Sequence, residues 1–433
     1  MSENNIGSQE TVKQDSASQA DWLQPVAVAI AALLIMFARA PDRLTHGFLW
    51  GEDGKIFLSQ AYENGVASIF IPYAQYFHFL PRTVAVTYSY IGHIDRAPRP
   101  FVWICALIQC MACVYLFTRA RRSLPPSIAW AFGLAPVLIP QSGEVLLNIT
   151  NIQWIVAPCL LVLLWEEFCF RPNDRRETSS ELLRVATIVA TTLTGPFGLL
   201  FLPIVVIGLI LTRQIHRSPR ACAAIAAYIV SATVQLAAIL AYQHTQPKSV
   251  LDESARVGYL HFPWPNQLLR HMALEFLMPQ SWIAHMGTQW PYFASACALA
   301  VIVCLVLSGK EHRSGAVVMV AIGIFLWMVA MVRTGVPQID QRWDAAGGRY
   351  FIIPFVLFAW ALLLSLATTP FRMIRVLSGA LLACMLWNSA AEFYSPVYLH
   401  AGSVYRSESG VLRMSIAPSS EWFIDVKPSW LSE

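Results

Sequence analysis

The chain has 433 residues, of which 56% are hydrophobic and only 13% charged, with a formal net charge of +4. A soluble domain carries about 25% charged residues, so this composition excludes an ordinary soluble enzyme. Repeated uncharged segments long enough to cross a hydrocarbon core point instead to a polytopic membrane protein with helical spans, and the alternating strands of a membrane barrel are lacking.

Residues 1 to 21 open with MSENNIGSQETVKQDSASQA, a polar, acidic-leaning stretch expected to be a disordered cytoplasmic N-terminus. It has neither the basic n-region nor the small-residue cleavage site of a signal peptide, so the first apolar segment reads as a retained span. Apolar spans follow near 22 to 38, 100 to 118, 126 to 140, 152 to 170, 183 to 194, 197 to 212, 221 to 242, 291 to 308, 315 to 332, 350 to 367 and 374 to 390, about eleven crossings. Short basic loops lie between them: TRARRS at 118 to 123, RPNDRRE at 171 to 177, RQIHRSPR at 213 to 220, GKEHRS at 309 to 314 and FRMIR at 371 to 375. By the positive-inside rule all five are cytoplasmic. Arg39 and Arg43, at the outward end of the first span, run against that trend.

Residues 80 to 95 would be a twelfth crossing and would invert every later loop, so they are read as an interfacial helix. The hairpin at 183 to 212 turns at LTGPFG between two helices shorter than a full span, where Gly195 and Pro196 break the helix. Short helices there leave a dent in the outer face at membrane depth. The nine cysteines all fall inside spans, so no external disulfide is expected. The QCMAC pair, Cys110 and Cys113, reads as packing rather than as a metal site. Segment 266 to 277 is amphipathic and suits a membrane surface. The tail, 391 to 433, is polar, proline-punctuated and carries strand-like fragments that can lie over the outer vestibule.

Sorted on this map, the unusual polar residues fall on the outward side: Glu52, Asp53, Lys55, Glu63, His78, Arg82, Glu144, Asn148, Asn151, Gln153, Arg333, Asp340, Arg342, Asp344 and Arg349. In WGEDGKIF, Asp53 reads either as an N-cap for a helix starting near Lys55 or as a reactive carboxylate beside Glu52. In QSGEVLLNITNIQW, Glu144 precedes the amides Asn148, Asn151 and Gln153. On a helix Asn148 and Asn151 share a face, where they either line a polar cavity or glue the bundle. In RTGVPQIDQRWDAAGGRYF, Arg349 beside Tyr350 suits a phosphate or a headgroup anchor. IPYAQYFHFLPR adds an aromatic apron containing Tyr76, with His78 and Arg82.

The series W-x-E-D-G-x-x-F-L, P-Y-A-x-Y-x-H-x-x-P-R, G-E-x-x-x-N-x-T-N-x-Q-W, L-T-G-P-F and G-G-R-Y resembles a group of bacterial membrane proteins whose layout is similar to the GT-C superfamily of polyprenyl-phosphate-sugar-dependent glycosyltransferases. The resemblance covers roughly residues 22 to 390 in layout. It implies an all-α, GT-C-like transmembrane domain with juxtamembrane helices in the first periplasmic loop, 39 to 99, and a periplasmic C-terminal tail from 391 to 433. It further implies a catalytic carboxylate in that loop, a lipid-linked sugar donor and a site facing the periplasm from the bacterial inner membrane. The matching carboxylate is Asp53, with Glu52 beside it; many members carry Asp then Glu, whereas this chain carries Glu then Asp.

The expected reaction moves a sugar from a polyprenyl-phosphate donor to an envelope glycan or lipid acceptor, with Asp53 as general base and Lys55, Arg82 and Arg349 as phosphate-binding cations. His78, Tyr76, Glu144, Asn148, Asn151, Gln153 and Tyr350 are the expected substrate contacts. No metal, cofactor or nucleic-acid partner is expected; the lipid-linked donor is a substrate, and no Gly-rich nucleotide loop occurs. The competing readings are a carrier of lipid-linked saccharide and a periplasm-facing polysaccharide polymerase or ligase. The chain lacks a convincing internal repeat of the kind carriers generally show.

Overall fold

A computed structural model describes residues 6 to 141, 143 to 169, 178 to 212, 219 to 245, 264 to 334, 348 to 391, 402 to 417 and 422 to 432, with side chains from residue 22 onward and a few helix ends traced as backbone only. The chain is a multi-pass, mostly helical membrane protein. Its principal helices are α1 (Ile6–Arg39), α2 (Phe79–Ile91), α3 (Pro98–Ala120), α4 (Pro126–Leu138), α5 (Ile152–Cys169), α6 (Thr178–Thr192), α7 (Leu202–Thr212), α8 (Pro219–Thr245), α9 (Trp290–Val306), α10 (Lys310–Thr334), α11 (Ile352–Thr368) and α12 (Arg372–Ala391). Among the described residues seven segments are long and apolar enough to span a bilayer, within α1, α3, α8, α9, α10, α11 and α12, and shorter apolar helices occur at Pro126–Leu138, Leu182–Thr192 and Phe197–Ile210. The backbone is helical from Ile6, so α1 extends through most of the polar N-terminal stretch.

Helix α11 is the axis of the bundle. Every residue from Ile352 to Ser365 is buried, as expected for a helix apolar on all sides and surrounded by others. It packs on α4, α5, α9, α10 and α12. Trp360 illustrates how the fit is fixed: its ring stacks on Phe132 at 4.0 Å and 5°, and its Nε1 donates to the Phe132 carbonyl at 2.9 Å. A buried indole N–H needs such a partner.

At one end of this bundle the first loop, residues 40 to 97, folds into short pieces. A π-helical turn, Asp53–Leu58, runs into a helix at Ser59–Asn64 and a 3-10 turn at Gly65–Phe70, and α2 packs across them. With 13 residues α2 is about 20 Å long, short of a membrane span. Arg39 and Arg43 are 1% and 3% exposed in this layer. Arg39 Nη1 donates to the carbonyls of Val137 and Ile139 at 3.0 and 3.1 Å and to Ser389 Oγ at 3.1 Å. Arg43 Nη1 donates to the Gly143 carbonyl at 2.8 Å and to that of Leu146. Both guanidiniums thus satisfy carbonyls left over at and beyond the C-terminal end of α4, which explains basic residues where the charge rule disfavours them.

The LTGPFG turn reaches the same end but stops short of it. Phe79 N donates to the Leu193 carbonyl, Gly195 N to the Phe77 carbonyl, and Gln235, midway along α8, donates to the Gly195 carbonyl at 2.7 Å. Helix α8 continues ten residues past Gln235, to Thr245, about 15 Å further. The turn therefore sits in a depression beside a longer helix.

The tail forms a three-stranded antiparallel sheet, β1 (Val404–Arg406), β2 (Leu412–Ser415) and β3 (Phe423–Asp425), in the order β1-β2-β3. It lies against the first loop: Ala417 N donates to the Leu49 carbonyl at 2.9 Å, Tyr62 stacks on Trp430 at 5.3 Å, and Ser432 donates through its N and Oγ to Asp95. Segment 266 to 277 differs from the surface helix expected of it. Residues His271–Leu277 are buried, and Asn388 of α12 donates to the Glu275 carbonyl at 2.8 Å. Its apolar face meets α9 and α12 instead of lipid.

Candidate functional site

A cavity of about 190 Å³ opens where the first loop, the segment before α5, the LTGPFG turn and the facing ends of α10 and α11 meet. Its polar wall holds Glu52, Tyr73, Tyr76, His78, Thr150, Asn151, Gln153 and Arg349. Its apolar wall holds Leu200, Leu326, Val329, Ala330 and Ile353, with Trp154, Phe197 and Tyr350 between the two. Trp154 meets Tyr350 edge-on at 5.3 Å and Phe197 at 4.9 Å.

The two neighbouring carboxylates do different things. Asp53 is 1% exposed and does not line the cavity. Its Oδ1 accepts from Thr150 N at 2.7 Å and from Thr150 Oγ1, and its Oδ2 accepts from Trp50 N at 3.1 Å. Burial pushes its carboxyl up from 3.8 to about 6, against the pull of those three donors. It is not an N-cap for a helix starting near Lys55, because helical backbone begins before it and its partners lie outside that helix. Successive residues on a helix diverge by about 100°, so with Asp53 turned onto Thr150, Glu52 turns to the cavity. Tyr73 OH reaches Glu52 Oε1 at 3.5 Å, and Glu52 Oε2 is buried with no hydrogen-bond partner among the described residues.

Glu144, expected as a substrate contact, does not line the cavity and instead holds Arg349, which does. Arg349 Nη1 donates to Glu144 Oε1 at 2.8 Å and its backbone N to Oε2 at 3.0 Å. Burial raises the Glu144 carboxyl while Arg349 lowers it, the burial winning. Gly348 is buried beneath this contact, and the Arg349 guanidinium sits 5.2 Å from the Tyr350 ring. Asn148 and Asn151 do not share a helix face: Asn148 precedes α5 in irregular backbone, accepts from Asn151 N at 2.8 Å and donates to the Glu144 carbonyl. Asn148 shapes the turn, while Asn151 reaches the cavity and also donates to the Glu144 carbonyl at 3.1 Å. Gln153 Oε1 and Trp154 Nε1 are buried without partners among the described residues, as Glu52 Oε2 is.

The aromatic apron is folded inward. Tyr73 and Tyr76 exchange backbone hydrogen bonds across a two-residue turn in which Ala74 and Gln75 have φ of +50° and +85°. Such turns favour Asn-Gly, and non-glycine residues held there cost of order 1–3 kcal/mol each, a strain that clusters at functional sites. His78, 2% exposed, stacks on Tyr76 at 4.6 Å and bridges to Thr194 in the LTGPFG turn.

Two expected phosphate ligands lie elsewhere. Lys55 is exposed and its Nζ stands 5.8 Å from the Trp422 ring and 5.9 Å from that of Phe423, against the tail sheet. Arg82 is buried between short helices of the first loop, donating to Gln60 Oε1 and the Ser68 carbonyl at 2.9 Å each, with burial lowering its guanidinium to about 10. Neither lines the cavity, because each is drawn to aromatic or carbonyl partners in its own layer. Asp340, Arg342 and Asp344, and the side chain of Arg333, lie outside the described residues. Thr150, the partner of Asp53, and Trp154, a lining residue, both stand in QSGEVLLNITNIQW without a sequence signal that marks them as site residues. Gln235's one signal is an amide in the middle of an apolar helix.

No protein-family model matches this chain, and comparison with characterised proteins finds no match.

Proposed function

We propose that the chain is an integral-membrane glycosyltransferase that moves a sugar from a polyprenyl-phosphate donor to a hydroxyl of an envelope glycan or lipid, using the first-loop cavity on the periplasmic side. The supporting observation is that three buried polar atoms without partners among the described residues, Glu52 Oε2, Gln153 Oε1 and Trp154 Nε1, belong to side chains lining one cavity that also holds Arg349. Buried polar groups left open in this way are costly unless a ligand or water completes them. Two acceptors and a donor among aromatic walls suit a polyhydroxylated ring. Arg349 suits a phosphate, and the apolar wall from α10 and α11 suits the start of a hydrocarbon chain.

In this reading Glu52, not Asp53, takes the proton. The acceptor oxygen gives its proton to Glu52 and bonds to the sugar's anomeric carbon, the bond from that carbon to the phosphate oxygen breaks, and polyprenyl phosphate departs toward Arg349. Asp53 holds Thr150 and with it the polar wall. The test is purified protein in proteoliposomes given a panel of polyprenyl-phosphate sugars and a membrane glycan fraction, with release of polyprenyl phosphate measured. Turnover of at least one donor, lost in Glu52→Gln, supports the reading. Absence of donor binding across the panel in a correctly folded preparation rejects it.

A further inference from the structure

A second cavity, of about 240 Å³, lies at the other end of the bundle, between the C-terminal ends of α3, α5 and α11 and the N-terminal end of α10. The helices run antiparallel here, so α10 lines the first cavity with Leu326 and Ala330 and the second with Gly315 and Ile322. The interior is hydrocarbon and aromatic: Trp360 on Phe132, Leu161, Met319 and Leu364. Its volume is far above the roughly 10–15 Å³ that admits one water, yet such walls give water few partners. The rim is different. Arg119 Nη1 and Glu166 Oε2 form an ion pair at 3.3 Å, without hydrogen-bond geometry, so each keeps a polar direction open toward the rim. Glu311, exposed at the first turn of α10, stands on the same rim.

An apolar interior ending in a charged rim fits an amphiphile with its head at the rim and its tail inward, a polarity opposite to that of the donor in the first cavity. The rim thus holds the Arg119–Glu166 ion pair together with Glu311 and His312, so the complementary head is zwitterionic, an anionic phosphate placed against Arg119 and an ammonium against Glu166 and Glu311. We infer that this cavity is a binding site for a glycerophospholipid with an amine headgroup, of the phosphatidylethanolamine type. The site is independent of the proposed transfer reaction, and its readout is lipid occupancy.

The full chain, purified in detergent and delipidated, is titrated with dioleoyl phosphatidylethanolamine, dioleoyl phosphatidylglycerol and an isoprenyl phosphate, and bound lipid is counted by native mass spectrometry. One phosphatidylethanolamine is expected per chain, bound at least tenfold more tightly than either alternative. A Cβ at Gly315 meets nothing within 4 Å, so Gly315→Ala should leave binding unchanged and Gly315→Phe should fill the cavity and weaken it at least tenfold. Glu311→Gln should narrow the preference for the amine head severalfold. Should Gly315→Phe not fold, Glu311→Gln decides alone. Equal binding of the three lipids, binding untouched by a folded Gly315→Phe, or an amine preference unchanged in Glu311→Gln overturns the assignment.

Discussion

Exchanging the two adjacent carboxylates one at a time separates their roles. Glu52→Gln keeps the side chain's size and its Oε1 as acceptor for Tyr73, and Glu52 Oε2 has no partner among the described residues to lose. The change should therefore leave the melting temperature near that of the native chain. Removing a general base slows turnover about 10²–10⁴-fold, roughly 3–5 kcal/mol of barrier. Asp53→Asn acts on the fold. It keeps an acceptor for Thr150 but turns an amide N–H₂ toward Trp50 N, losing a charged hydrogen bond of about 1.5–3 kcal/mol. Against this, the charged carboxylate carries a net cost of roughly 3 kcal/mol with its hydrogen bonds already included, from a rise of 3.8 to about 6 at 1.36 kcal/mol per unit. Net stability at neutral pH thus changes little, and the diagnostic is its pH dependence. The folded chain holds the Asp53 proton more tightly than the unfolded one, so this group's stabilisation is complete below about pH 4 and is lost as pH rises through 6. Asp53→Asn should remove that decline from a series of melting temperatures between pH 4 and 7, with a smaller loss of turnover than Glu52→Gln. Turnover by Glu52→Gln within about threefold of native, or an inactive Asp53→Asn with an unaltered melting profile, would refute the division of labour.

Arg349→Lys removes the Nη1 that donates to Glu144, keeps the backbone N bond, and loses the planar guanidinium in the cavity; the donor KM should rise tenfold or more in steady-state assays. Gly195→Ala places a Cβ 2.1 Å from Gln153 Oε1 at a φ of +95°. It should destabilise the chain by at least about 1–3 kcal/mol and lower turnover by displacing Gln153, read from melting and activity together. Gly54→Ala puts a Cβ 2.5 Å from Ile424 Cδ1 in the tail sheet. Its loss of activity should be largely restored by Ile424→Val, which deletes that methyl, in a double-mutant cycle; failure of the rescue would mean that the sheet does not set the position of the carboxylate segment.

The polytopic helical class was legible because a bilayer imposes one demand, a run of apolar residues, that composition displays directly. The short α2 was legible from charge: counting 80 to 95 as a span would have turned every later basic loop outward. What charge misread was Arg39 and Arg43. The positive-inside rule treats a guanidinium as solvent-facing, whereas these two are consumed by carbonyls from Val137 to Leu146, a demand created only when α4 ends beside α1. Segment 266 to 277 differs from its expectation for a related reason. An amphipathic period states that one face is apolar but not whether lipid or protein covers it.

Much of the site was legible in its membership and little of it in its assignments. Glu52, Tyr76, His78, Asn151, Gln153, Arg349 and Tyr350 converge on one cavity although they come from segments far apart in the chain, because each sits at the end of an element that reaches the same end of the bundle. Proximity in sequence misled where the assignment turned on direction. Asp53, Glu52 and Lys55 lie within four positions, yet one faces Thr150, one the cavity and one the tail sheet. A helical turn divides neighbours by angle, and the side chain with the most buried donors around it becomes the anchor. Asp53 has three such donors and Glu52 a single long contact from Tyr73. The chain that reads Glu then Asp therefore places its second carboxylate in the framework and turns its first to the cavity that Arg349 also lines.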